Sequence, residues 1–219
     1  MNNDGKEKMD LNLWLSQKYR LIGSNPTVIA GVGRDDLARW FGEWGFTEGV
    51  EVGTFQGNYA GVLCASNPKL HLTCVDPWVC YDGYEEYVNQ QWKLNAAYHR
   101  AQQRLANYNC TLVRQYSAVA SEGIPDGSLD FVYLDGNHLL PYVIQDQYCW
   151  VPKVRKGGVV AGHDYLWFDW MTGIQVVEAV DAYTKANRIK QWYVLGRQRR
   201  PTTNPRKLTQ YARSWMWVK

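Results

Sequence analysis

Short apolar runs that end on glycine or an acid alternate along this 219-residue chain with longer amphipathic segments. That alternation is the strongest constraint on its fold. A short strand that opens at Gly49 and breaks into a glycine loop by Gly57, then His71–Asp76, Thr111–Arg114, Leu129–Asp135 and Val159–Asp164, read as five strands. Asn58–Ala65, Glu85–Ala106, a short segment opening at Ala118, and Pro141–Trp150 read as the helices between them, and Gly173–Ala186 follows the fifth strand. Strands separated by helices run parallel, because a parallel neighbour needs a crossover connection that lays a helix on one face of the sheet. Gln191–Leu195 and Ser214–Val218 are two late strands with no helix between them, which predicts an antiparallel hairpin at one edge. Upstream, Asp10–Ile22 has helical spacing and Thr27–Arg34 is Gly-rich and turn-like. A helix capped by Asp35 or Asp36 then runs through Trp44.

The length suits one domain, and 46% apolar with 21% charged residues excludes disorder as the main state. We divide it into an N-terminal helical extension (1–48), a core (49–165) and a C-terminal helix with a basic edge hairpin (166–219). The polar N-terminus lacks the apolar run of a signal peptide, and no apolar stretch reaches the length needed to cross a bilayer. Five cysteines without a C-x-x-C pair argue against a zinc site or a disulfide framework. The expectation is a cytoplasmic protein with reduced thiols and no membrane partner. Charge is unevenly placed: residues 185–219 carry ten basic and no acidic side chains, whereas the first 184 residues carry 14 basic and 21 acidic. A basic end of this kind suits an anionic partner, a subunit contact or a solvated face.

Two elements carry chemistry. Glu51-Val52-Gly53-Thr54-Phe55-Gln56-Gly57 is a strand breaking into a glycine loop, where backbone N–H groups approach a ligand closely. Its spacing departs from G-x-G-x-x-G, which argues against a dinucleotide, and an acid at its start suits an amino-bearing ligand. Asp76 ends the next strand, where a carboxylate at the crevice of a doubly wound sheet accepts ribose hydroxyls.

These residues, with Val75-Asp76-Pro77-Trp78, Tyr133-Leu134-Asp135-Gly136-Asn137-His138 and Gly157-Gly158-Val159-Val160-Ala161-Gly162-His163-Asp164-Tyr165, resemble class I S-adenosylmethionine-dependent methyltransferases. The likeness is to the branch whose fourth and fifth strands end in Asp-Gly-x-His and Gly-His-Asp-Tyr, similar to small-molecule and sugar O-methyltransferases. It implies a Rossmann-like doubly wound seven-stranded sheet, mostly parallel with an antiparallel last strand, in the order 3-2-1-4-5-7-6. It also implies that Glu51, Gly53, Thr54 and Gly57 surround the methionine moiety, that Asp76 holds the ribose, that Trp78 and Ser117 lie near the adenosine, and that Asp135 closes the pocket at the reacting centre.

His138, His163 and Asp164 fall at the ends of the fourth and fifth strands, so they converge with Asp135. In such relatives acids at the matching places hold Mg²⁺. Here Asp135, His163 and Asp164 are the candidate ligands, with an imidazole in place of one acid. Asn137 stands where relatives carry a basic Asp, which passes proton removal to His138 or His163. The leading expectation is O-methylation of a small molecule or glycan, with nucleic acid ranked below these acceptors and a homo-oligomer left open. The rivals are another nucleotide-cofactor Rossmann enzyme of the NAD type and a non-catalytic binding protein that keeps the fold. The ring-rich Tyr81–Tyr98 segment reads equally as a lid or as a helix packed on the sheet.

Overall fold

A computed structural model describes residues 9–21, 25–81, 90–166, 173–196 and 213–219. In chain order its elements are α1 (Leu11–Tyr19), β1 (Thr27–Ile29), α2 (Arg34–Glu43), β2 (Glu48–Val52), α3 (Asn58–Ser66), β3 (His71–Val75), α4 (Gln91–Leu105) and β4 (Cys110–Val113). They continue with α5 (Ser117–Glu122), β5 (Leu129–Leu134), α6 (Leu140–Trp150), β6 (Val154–Gly162), α7 (Val176–Ala186), β7 (Trp192–Leu195) and β8 (Ser214–Val218). All eight strands form one sheet in the order β1-β7-β8-β6-β5-β2-β3-β4. β2 through β8 reproduce the expected order, with β8 antiparallel to both its neighbours.

Alternation along the strands builds two cores. Val50, Val132, Val160 and Val194 point to one face, where Trp150, Val177, Val180 and Trp215 pack on them. Phe131, Tyr133, Ala161 and Tyr193 point to the other, against Leu37, Phe41, Tyr59 and Leu63. Leu11, Leu15 and Ile29 belong to this second core as well, so the N-terminal segment is built into the domain.

Two sequence readings change. Thr27–Ile29, read as a turn, is a strand: it runs parallel to β7 and adds an eighth strand. Three residues are too few for a two-residue period to register, and the pairing is supplied by β7, whose four residues are all buried. The two late strands pair antiparallel as expected, but they do not form the edge. β8 is inserted between β6 and β7, and β1 covers the far side of β7, closing an edge that would otherwise offer unpaired backbone groups. Two side chains of the basic end are tied into the fold. Arg213 is buried, and the Lys219 ammonium donates to the carbonyls of Val151, Pro152 and Val154. Arg197, Arg199, Arg200, Arg206 and Lys207 lie outside the described residues, as does the 82–89 part of the ring-rich segment.

Candidate active site

The chain reverses its direction of winding between β2 and β5, and the crevice opens at their carboxyl ends. Backbone contacts there are close. The Asp135 N–H donates to Val52 O at 2.8 Å and the Gly53 N–H to Val75 O at 2.8 Å. Gly53 has φ +89°, and a Cβ on it would fall 2.0 Å from Asp135 O, so only glycine fits.

Asp76 organises the next stretch. Its two oxygens accept the Phe55 N–H at 2.9 Å and the Trp78 N–H at 2.7 Å, and both donors sit at positive φ. The Trp78 indole N–H donates to Phe55 O at 2.7 Å, which ties the two turns together. Burial pushes the Asp76 carboxyl up to about 6, against the pull of the two N–H donors and Arg114.

A cavity of about 350 Å³ lies over these turns, and Gly53, Asp76, Ser117, Asp135, His138 and Asp146 are among its lining residues. The eight candidates for the donor site therefore divide equally, with Glu51, Thr54, Gly57 and Trp78 outside the lining. Gly53, Asp76, Ser117 and Asp135 line the cavity. Trp78 does not: its side chain is fully buried, its ring tilted against Tyr98 and packed with Leu94, Ala97 and Ala101. Packing against α4 has claimed the ring, and Trp78 reaches the site through its backbone alone. Glu51, also outside the lining, lies on the opposite face of β2 from Val52, among Arg34, Tyr59 and Asp135.

Glu51 is 2% exposed, and its Oε2 meets no hydrogen-bond partner among the described residues. Burial raises its carboxyl to about 8, although Thr54 and Arg34 beside it favour the ionised form. Gly57, at φ +71°, starts α3 beneath Leu105 and Ala101.

The strand-end acids and histidines converge. Nε2 of His138 is 2.9 Å from Asp164 Oδ2 and 3.7 Å from Asp135 Oδ1. Nδ1 of His163 is 3.3 Å from Asp164 Oδ2 and 3.8 Å from Asp135 Oδ1. Burial would raise Asp164, but hydrogen bonds from both histidines, and their charge, hold it well below the usual carboxylate range. Burial would lower His163, and Asp135 and Asp164 instead raise it. Ligand atoms of Asp135, His138 and Asp164 all lie within 4.8 Å of one another. His138 thus takes the place in this cluster expected for His163, while His163 backs the two acids. Asn137 spends its side chain on the turn, accepting the Leu139 N–H and donating to the Tyr81 hydroxyl.

Two residues escaped the sequence reading. Arg34 opens α2 and places its guanidinium 3.8 Å from Asp135 Oδ2. Nothing in the turn-like 27–34 sequence marked it. Asp146 is 6% exposed, lies within hydrogen-bonding reach of Ser117, and is raised to about 7 by burial. Ser117 Oγ also accepts the Trp150 indole N–H at 2.8 Å. Asp146 did carry a signal: it falls on the buried stripe Val143, Asp146, Gln147, Trp150 of α6, where an acid is out of place unless it serves something.

The comparisons bear on this geometry. The sequence profile of the family described as a methyltransferase domain matches residues 50–165, more than half of the chain and the span that holds the crevice. The chain belongs to the class I S-adenosylmethionine-dependent methyltransferases. This methyltransferase is 28% identical over 138 residues to an uncharacterized protein of Acanthamoeba polyphaga mimivirus, covering 60% of this chain and 57% of that one. The chain therefore spans little more than half the length of that relative.

Solved structures share the fold at low identity. A Staphylococcus aureus protein assigned as a caffeoyl-CoA O-methyltransferase matches at TM-score 0.57 and 11% identity, over 95% of this chain and 91% of that one. An rRNA methylase from Streptococcus thermophilus matches at 0.54 and 12%, over 84% and 93%. The N-methyltransferase NodS from Bradyrhizobium japonicum matches at 0.56 and 12%, over 85% and 94%. No helix among the described residues is long and apolar enough to cross a membrane.

Proposed function

We propose that this methyltransferase transfers a methyl group to a hydroxyl oxygen of a small molecule or glycan, with His138 as the general base. The observation that carries the reading is the position of His138, which lines the cavity and is held at Nε2 by Asp164 Oδ2 at 2.9 Å. An imidazole oriented by a carboxylate removes a proton from a hydroxyl near neutral pH. Asp135 and His163 hold Asp164 and the ring in place. S-adenosylmethionine supplies a methyl carbon already activated by its sulfonium.

The residues present fit that donor. Gly53 lets the backbone of the β2 and β5 turns close on each other, which builds the crevice floor beneath the cavity. Asp76, at the cavity wall, would accept ribose hydroxyls, and Ser117 with Asp146 would face the adenine. Buried Glu51, with an unmatched Oε2, would take the α-amino group of the methionine moiety, while Arg34 would face its carboxylate. Sequestration of the reacting groups from water and their alignment supply most of the remaining rate.

The spacing of Asp135, His138 and Asp164 supports a second reading, in which the three hold a divalent cation such as Mg²⁺ that would lower the pKa of the acceptor hydroxyl. Nucleic acid ranks below small acceptors in this reading, and the likeness to rRNA methylases is one of fold. The test is transfer of labelled methyl from S-adenosylmethionine to a panel of hydroxylated small molecules and oligosaccharides. Calorimetry with S-adenosylhomocysteine and with NAD accompanies it. Binding of S-adenosylhomocysteine alone, with label on an oxygen, is the expected result. Label on nitrogen, or only on RNA, overturns the acceptor assignment.

A further inference from the structure

Three of the five cysteines meet on the face of the sheet opposite the cavity, on three different elements: Cys64 on α3, Cys74 on β3 and Cys110 at the start of β4. Cys64 and Cys74 are buried in the core with Leu63, Leu72 and Leu105, and Cys110 packs against that core from a half-buried position. The Sγ atoms of Cys64 and Cys110 are 3.3 Å apart although the residues are 46 positions apart in sequence. Sulfurs this close reach bonding distance by a small side-chain movement. Reduced thiols are expected from the sequence, and nothing in the methyl-transfer reading uses them.

We propose that Cys110 and Cys64 form a thiol pair that hydrogen peroxide oxidises to a reversible disulfide, with Cys74 as a neighbouring thiol for exchange. Cys110 is the attacking sulfur because it is the more accessible member. The neighbouring Cys64 and Cys74 thiols and His71 hold the Cys110 thiol below the ordinary value, whereas the contact with Cys110 and burial raise the Cys64 thiol. In the first step the Cys110 thiolate attacks one peroxide oxygen. The O–O bond breaks, Cys110 becomes a sulfenic acid, and the other oxygen leaves as water after taking a proton. In the second step Cys64 attacks the sulfenic sulfur, the S–S bond forms, and the second water leaves. Two electrons pass from the two thiols to the peroxide.

A soft metal ion is the other use of clustered thiols. Among the described residues, the mutual spacing of a metal site occurs at Asp135, His138 and Asp164 and not at these cysteines. The bond would tie α3, the helix that leaves the glycine loop, to the edge strand β4. It would close a covalent loop containing Asp76 and α4, which constrains the unfolded chain more than the folded one. The proposal does not rest on the acceptor or on His138.

The experiment treats the reduced full-length chain with a few equivalents of hydrogen peroxide, alkylates it in denaturant, and maps its peptides without reductant. The expected result is a Cys64–Cys110 cross-link, an intact mass lower by about 2 Da, and loss of two of the five alkylatable thiols, all reversed by dithiothreitol. Cys149→Ser keeps the cross-link and Cys110→Ser removes it. The wild-type map decides the matter even where Cys110→Ser destabilises the fold. The proposal is overturned if Cys110 stays fully alkylatable, if it passes to sulfinic acid without cross-linking, or if the only disulfide formed joins another pair.

Discussion

Oδ2 of Asp164 lies 2.9 Å from Nε2 of His138. The two residues come from the ends of neighbouring parallel strands, β6 and β5, so the sheet itself fixes their separation. Asp164 turns at φ +54°, a conformation that points its carboxylate back at both histidines. If His138 removes the acceptor's proton, Asp164→Asn and His138→Ala should each lower kcat by about 10²-fold or more, with affinity for S-adenosylhomocysteine changed less than threefold. Single-turnover rates alongside calorimetry check this. A loss of binding equal to the loss of rate would move both residues into the donor pocket.

The same groups make stability depend on pH. Asp164 is held low, so its contribution is present above about pH 4 and is lost as pH falls further. His163 is raised, so its contribution is complete below about pH 6.5 and is lost as pH rises through its higher folded value. Asp146 and Glu51 are raised to about 7 and about 8 by burial. The fold favours their neutral forms, so their contributions are complete below about pH 4 and fall away as pH climbs towards those values. His163, Asp146 and Glu51 all predict a Tm lower at pH 8.5 than at pH 5.5. Asp146→Asn, which cannot ionise, should flatten that slope, and thermal melts across the range check it. An unchanged slope would remove Asp146 from the account.

The strands from β2 to β8 were legible because each is an apolar run bounded by glycine or an acid, and the helices between them imply a parallel sheet; their order was legible only through the family resemblance. β1 was not, because its three residues acquire strand character from β7 rather than from their own pattern. Within the site, residues at strand ends were legible for the same topological reason: Gly53, Asp76, Asp135 and Asp164 all follow strands into one crevice. Trp78 was placed correctly in the chain and wrongly in the pocket, since sequence position does not say which side of a turn a ring faces. Arg34 and Asp146 come from helices whose rotation about their axes is set by packing, so their reach into the site is a tertiary property.

Asp76 is asked to do two things, and they are separable. Its carboxylate holds the Phe55 and Trp78 turns and is proposed to hold the ribose. Asp76→Ala should weaken S-adenosylhomocysteine binding more than tenfold and also lower Tm, because two backbone donors lose their acceptor. Asp76→Asn keeps an oxygen for one of them and should recover part of the Tm but little of the affinity, since its amide carries one acceptor oxygen instead of two. Calorimetry and melts on both variants check the split, and unchanged affinity in Asp76→Ala would sink the ribose assignment.

Gly53 tests the crevice floor by sterics alone. A methyl there would lie 2.0 Å from Asp135 O and 2.6 Å from Gly136 N, both backbone atoms that cannot swing aside, and it would sit on a residue at φ +89°. Gly53→Ala should therefore cost about 2 kcal/mol or more in stability and displace Asp135 together with its turn. Gly61→Ala is the matched control: that Cβ would meet only the Arg104 side chain at 3.6 Å, so it should leave Tm within about 2 °C.

Chelation separates the two readings of the Asp135, His138 and Asp164 cluster. The two carboxylates already face Arg34, His138 and His163, and they raise His163 towards its charged form. A divalent cation would have to displace that charge, and it would occupy the imidazole that the leading reading uses as base. Extended dialysis against EDTA should therefore leave labelled methyl transfer and S-adenosylhomocysteine affinity unchanged. A loss of transfer that Mg²⁺ or Mn²⁺ restores would instead make His138 a ligand. Proton removal would then have to be assigned to another group, and Asp135→Asn would have to abolish the metal response.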